Sequence, residues 1–257
     1  MKTANILVSV SAGGEITYWH AASSKSIITI QNPDNTDLYA LDFSKIGDML
    51  AVGGKDYKVK LYDDSTKSLI SELEAAGPTN PGHSNRVFSV KFSEDPNLLV
   101  SGGWDNVVFI WDIRVSHSIG FIYGPHICGD AIDIKGDVLL TGSYGDKNVL
   151  QLWSISKRQL IETIPWNKYL EDQGDKGYLY TALFDKEDKP LYIAAGGAGR
   201  NEMHIYKNTV GYDMLGKVTF GKTVTSIDFA NGKNLIAIGC GDGMTYTFNY
   251  EVVKKDK

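Results

Sequence analysis

The chain has 257 residues, 42% of them hydrophobic, with 27 glycines and a formal net charge of −5. That length and apolar content suffice for one large domain with an extensive core, and the glycine content suits a fold with many tight turns. The scattered charge argues against a nucleic-acid footprint, no apolar run approaches the roughly 18 residues needed to span a bilayer, and Cys128 and Cys240, which lack metal spacing, read as free thiols of a reducing compartment, cytosol or nucleus.

Short runs rich in Val, Ile, Phe, Tyr and Trp, bounded by Gly, Asp and Asn, predict strands and turns along the whole chain. The first group has three strands, Ile6–Ser11, Glu15–His20 and Ser26–Ile30. LYALDF, ending at Phe43, opens a second group with a Gly53-Gly54 turn and Tyr62. The third, GHSNRVFSVKFSEDPNLLVSGGWDNVVFIWDI, runs from Gly82 through Gly102-Gly103 to Trp111-Asp112-Ile113. DAIDI to Ile134, YTALF to Phe184 and VTSIDF to Phe229 open the fourth, fifth and sixth. Trp19, Tyr62, Trp111, Trp153, Tyr206 and Phe248 mark the end of the repeat's third strand in all six copies and recur every 40 to 50 residues or so. No stretch has sustained helical periodicity, although Trp166–Asp172 could form one helical turn. The inventory is 22 strands in six copies, with three strands in the first and last copies.

With its Gly-His opening, Trp-Asp closing and repeat length, the chain resembles the WD-repeat (WD40) β-propeller family over nearly all of its length, from about Ile6 to Tyr250. The resemblance implies an all-β fold, a propeller of about six four-stranded blades with a three-stranded first and last blade. The whole chain, 1–257, is read as one propeller, with repeats at about 6–30, 37–74, 82–123, 126–164, 177–220 and 222–250. Two explanations stand for the thin blades: a closed ring with both side by side, or an open ring completed by a partner's strand, since unpaired strand edges are templates for pairing. In this family a His, a Ser or Thr, an Asp and the Trp form a buried hydrogen-bonded set in each blade. Only the third copy matches it in full, at His83, Ser101, Asp105 and Trp111. The fourth offers His126, Thr141, Asp146 and Trp153 with one extra turn residue; the second keeps Asp56 with Tyr62, and the sixth Asp242 with Phe248.

Catalytic signals are poor. The five histidines show no paired ligand spacing, Asp105, Asp146 and Asp242 suit turn tips, and Gly196-Gly197-Ala198-Gly199 precedes no helix that could hold an anion. No enzyme activity, cofactor, metal or small-molecule substrate is expected. Family positions lining the top face map to Asp37, Tyr39, Arg86, Phe88, Asp130, Tyr178, Tyr180 and Thr223 at inner-strand starts, and to Lys55 and Trp104 before the turn Asp. Trp, Tyr and Arg dominate interface hot spots, so the expectation is a scaffold that binds a protein or peptide there as part of a complex. Trp104 could instead pack onto a neighbouring loop, and Tyr39, Phe88 and Tyr180 could fill the centre of the propeller. The insertion Pro165–Lys176 would contact a partner through Trp166 and Tyr169, or fold back as a lid. An alternative function rests on Trp111-Asp112-Ile113-Arg114, a WDxR ending that resembles substrate receptors of cullin-RING ubiquitin ligases, where Arg114 would contact the adaptor. A propeller-based enzyme is a third reading.

Overall fold

A computed structural model describes residues 5–166 and 177–250. Its 22 strands form six antiparallel sheets, the blades, each hydrogen-bonded between consecutive strands. Three blades belong to each of two compact units, Met1–His126 and Ile127–Lys257.

In the first unit, blade one is β1 (Ile6–Val10), β2 (Glu15–His20) and β3 (Lys25–Gln31). Blade two is β4 (Leu38–Phe43), β5 (Met49–Gly54), β6 (Val59–Asp63) and β7 (Leu69–Leu73). Blade three is β8 (Val87–Phe92), β9 (Leu98–Gly103), β10 (Val107–Asp112) and β11 (His117–Tyr123). In the second unit, blade four comprises β12 (Ile132–Lys135), β13 (Val138–Gly142), β14 (Leu150–Ser154) and β15 (Gln159–Thr163). Blade five comprises β16 (Leu179–Phe184), β17 (Tyr192–Gly197), β18 (Glu202–Lys207) and β19 (Met214–Thr219), and blade six β20 (Val224–Phe229), β21 (Leu235–Cys240) and β22 (Thr245–Asn249). Among the described residues the first and last blades are three-stranded. The expected helical turn lies, apart from Trp166, outside the described residues, as does Tyr169.

Within each unit the core sits between successive blades. Ala51, Val59 and Leu61 of blade two pack against Val87, Val90, Phe92 and Trp111 of blade three. Leu140, Leu150 and Leu152 of blade four do the same with Leu179, Ala182 and Phe184 of blade five. Each fully buried aliphatic or aromatic side chain there contributes about 1.5–3 kcal/mol. A carboxylate fastens both pairs: Asp42 accepts the Phe92 N–H at 2.8 Å, and Asp133 accepts the Phe184 N–H at 2.9 Å. These residues occupy the same place in LYALDF and DAIDI, so a repeated sequence position supplies a repeated blade-to-blade hydrogen bond.

The polar centre of each blade is filled differently. In blade three the Trp111 Nε1–H donates to Ser101 Oγ at 2.7 Å, and Ser101 is 2.7 Å from His83 Nε2. His83 Nδ1 lies 2.8 Å from Asp105, which also accepts the Ser84 N–H at 3.0 Å. Blades one and four keep only the indole bond, Trp19 to Ser9 at 2.8 Å and Trp153 to Thr141 at 3.1 Å. Blade five substitutes His204, 3.0 Å from both Glu202 and the Tyr206 hydroxyl.

Blade two substitutes a charge. The Lys60 side chain, 1% exposed, reaches Asp56 and, at 2.9 Å, Asp34. Tyr62 stands where blade three has Trp111, yet its buried hydroxyl has no hydrogen-bond partner. Burial, then the nearby Glu72, Asp34 and Asp56, push its phenol up to about 12. Tyr62→Phe is therefore expected to leave the unfolding midpoint unchanged or raise it slightly. The matched Tyr206→Phe loses a donor to the Pro165 carbonyl at 3.3 Å and should cost about 1 kcal/mol by denaturant titration.

The fourth copy departs from its expected set. His126 pairs with neither Asp146 nor Thr141; its Nδ1 lies 2.6 Å from Asn106 Oδ1 of the preceding blade's turn. Asp146 instead accepts the Tyr178 hydroxyl at 2.5 Å.

Candidate functional site

Two local devices position the predicted binding residues within each unit. The first is a bulge at the second residue of four inner strands. Leu38 pairs with Gly54 and Ala40 with Gly53, leaving Tyr39 as the extra residue. Phe88, Tyr180 and Thr225 are the extra residues in blades three, five and six. A bulge re-aims the side chain it carries. It turns Tyr39, Phe88 and Tyr180 out of the blade, and Thr225 is the equivalent residue in blade six, two residues after Thr223, whose carbonyl accepts the Gly241 N–H at 2.8 Å.

The second device ties the residue before the turn to the residue before the inner strand. The Lys55 N–H donates to the Asp37 carbonyl at 2.9 Å, and the Trp104 N–H to the Arg86 carbonyl at 3.1 Å. The preceding glycines permit this. A Cβ on Gly54 would sit 2.2 Å from the Asp37 oxygen, and one on Gly103 would sit 2.1 Å from the Arg86 oxygen. No other residue fits so close an approach, which is the physical role of the Gly-Gly turns in these two blades.

Together these devices assemble an aromatic ladder in the first unit. Tyr39 stacks on Phe88 with centroids 4.8 Å apart and planes within 9°. Phe88 stacks on Trp104 at 5.1 Å and Trp104 on His126 at 6.5 Å. The Arg86 guanidinium lies 5.0 Å from the centre of the Trp104 ring. Trp104 thus packs against its neighbours and still presents 38% of its surface. The Tyr39 hydroxyl donates to Asp37 at 2.8 Å; burial and that carboxylate raise its pKa. Burial lowers the pKa of His126, which favours the neutral ring. Sequence reasoning missed His126 as a ladder member because its place in the repeat suggested the blade's own histidine.

The second unit holds a smaller group. Tyr144 lies 4.9 Å from Tyr178 and 5.3 Å from Tyr180, and Asp130 is exposed. Tyr144 was not among the predicted residues. Of the two readings offered for the insertion, Trp166 follows the one in which it folds back on the blade: it is buried at 3% and stacked on His204 at 3.9 Å, so it belongs to the core rather than to a partner contact. Arg114 is exposed, but its Nη2 and Nε donate to Asp112 at 2.6 and 2.9 Å. Among the described residues no group of three or more His, Cys, Asp or Glu could hold a metal, and no helix is long and apolar enough to cross a membrane.

The family described as "WD domain, G-beta repeat" matches residues 24–63 and 78–112, the stretches that form β3 to β6 and β8 to β10. These two stretches of the chain carry WD repeats. The chain is 30% identical over 142 residues to the WD repeat-containing protein 89 homolog of Dictyostelium discoideum, covering 54% of this chain and 36% of that one. It is 25% identical over 230 residues to "Cell division cycle 20.1, cofactor of APC complex" of Arabidopsis thaliana, covering 88% and 47%. It is 24% identical over 200 residues to the ribosome biogenesis protein WDR12 homolog of Drosophila virilis, covering 74% and 45%. The chain thus spans less than half the length of each of these relatives.

Proposed function

We propose that the protein is a non-catalytic WD-repeat scaffold whose top face binds a protein or peptide segment, with Trp104 as the main anchor. The observation that carries this reading is the ladder Tyr39–Phe88–Trp104–His126, which presents a large aromatic at a turn tip while its neighbours hold it rigid. A rigid aromatic loses little conformational freedom on binding, and such anchors dominate interface energies. Lys55, Arg86 and Asp37 supply the polar rim of this site in the first unit; Asp130, Tyr178 and Tyr180 are the corresponding candidate contacts within the second unit. The relatives' descriptions, a cofactor of the APC complex and a ribosome biogenesis protein, agree with work inside assemblies.

Trp104→Ala tests the proposal. The expected result is at least a tenfold loss of affinity, about 1.4 kcal/mol, for a partner co-purified with the wild-type protein, at an unchanged melting temperature. Equal affinity of the variant for every such partner would remove the top face from the mechanism.

A further inference from the structure

The ladder has one charged member whose chemistry the scaffold leaves unused. Arg86 is held by its main chain: its N–H donates to Asn85 Oδ1 at 2.9 Å, and its carbonyl accepts the Trp104 N–H at 3.1 Å. Its guanidinium lies against the Trp104 ring, and among the described residues no carboxylate comes within ion-pair distance of it. The neighbouring cation is compensated, since Lys55 lies 3.8 Å from Asp37, and Arg114 is neutralised by Asp112. On a chain of net charge −5, Arg86 is therefore an uncompensated positive charge beside an exposed indole. A guanidinium oriented by a ring keeps its planar fork of N–H donors, whose geometry matches a carboxylate or phosphate.

We infer that the top face selects an acidic side chain, a carboxylate or a phosphate monoester, that follows an apolar or aromatic residue in an extended peptide. The anion pairs with the Arg86 fork, and the preceding side chain packs against the exposed part of Trp104. This selectivity rests on the top-face reading and adds a ligand class to it.

The test uses the full chain, labelled with nitrogen-15, and four synthetic peptides of the frame acetyl-Gly-Ser-Trp-X-Gly-Ser-amide, with X as Glu, phosphoserine, Gln or Lys. The readout is the indole N–H signal of Trp104, assigned through Trp104→Phe. The Glu or the phosphoserine peptide is expected to bind about fivefold or more tighter than the Gln peptide, and the Lys peptide weakest. Whichever of the two anions binds tighter identifies the source. Arg86→Gln should erase the difference between Glu and Gln while Trp104 still responds; its melting temperature checks folding. Equal binding of Glu, phosphoserine and Gln peptides, or a preference that survives Arg86→Gln, overturns acid selection and leaves top-face binding standing. No response at Trp104 to any peptide overturns both.

Discussion

Trp111→Ala is expected to lower the unfolding free energy by about 3–5 kcal/mol, the largest loss among the repeat aromatics. Two effects combine. The indole is fully buried against Phe109 and the blade-two side chains Ala51, Val59 and Leu61, so its removal leaves a cavity that the sheet cannot close. It is also the first donor in the relay Trp111–Ser101–His83–Asp105, and its loss leaves a buried hydroxyl short of one partner. Trp19 and Trp153 each hold one hydroxyl and are only partly buried, so alanine there should cost less. Denaturant titration of the three variants measures this order. A Trp111 variant no less stable than the Trp153 variant would mean that the relay and its cavity carry little of the stability.

Lys60→Met should cost about 3–5 kcal/mol, because removing one partner from a buried ion pair leaves the other charge unpaired. Asp56 is the exposed-to-harm partner: its side chain is 12% exposed and meets Lys60 directly, while Asp34 and Glu72 are more accessible. The double variant Lys60→Met with Asp56→Asn should recover part of the loss, since neither residue then carries an uncompensated buried charge. Burial opposes the Lys60 charge, but the hydrogen bonds to Asp56 and Asp34 outweigh it and hold its pKa above the ordinary lysine value. A raised lysine pKa contributes stability that is fully present below the unfolded value, about 10.4, and is lost only as pH rises through the folded value. The penalty of Lys60→Met should accordingly stay constant between about pH 6 and 9 and shrink only at strongly alkaline pH. The lowered pKa of Asp34, caused by its hydrogen bond to Lys60, adds the opposite limb, with stability lost as pH falls through the carboxylate range. A double variant no more stable than Lys60→Met would refute the unpaired-charge account.

The strands were legible because their signals are local. Alternating β-branched and aromatic runs, closed by Gly and Asp, locate all 22, and recurrence of one aromatic per blade sets the phase. Asp105, Asp56 and Asp242 behave as turn-tip carboxylates should, each accepting the N–H two residues on. Three other features were not legible. In KVKLY the alternation of Lys58 and Lys60 reads as a solvated strand face, yet Lys60 is interior because Asp34 comes from the preceding loop, 26 residues earlier. Trp104 was singled out as an unusual turn residue, but its stacking on Phe88 and His126 depends on a bulge and on a loop of the next copy. His126 itself left the position that its spacing implied. The sequence by itself determined which residues form strands, where the chain turns and which blade holds the full relay, because hydrogen-bonded turns and side-chain alternation act over a few residues. Only the tertiary structure decided which rings stack, which charge is buried and which arginine is left unpaired, because those depend on distances between segments that no local period encodes.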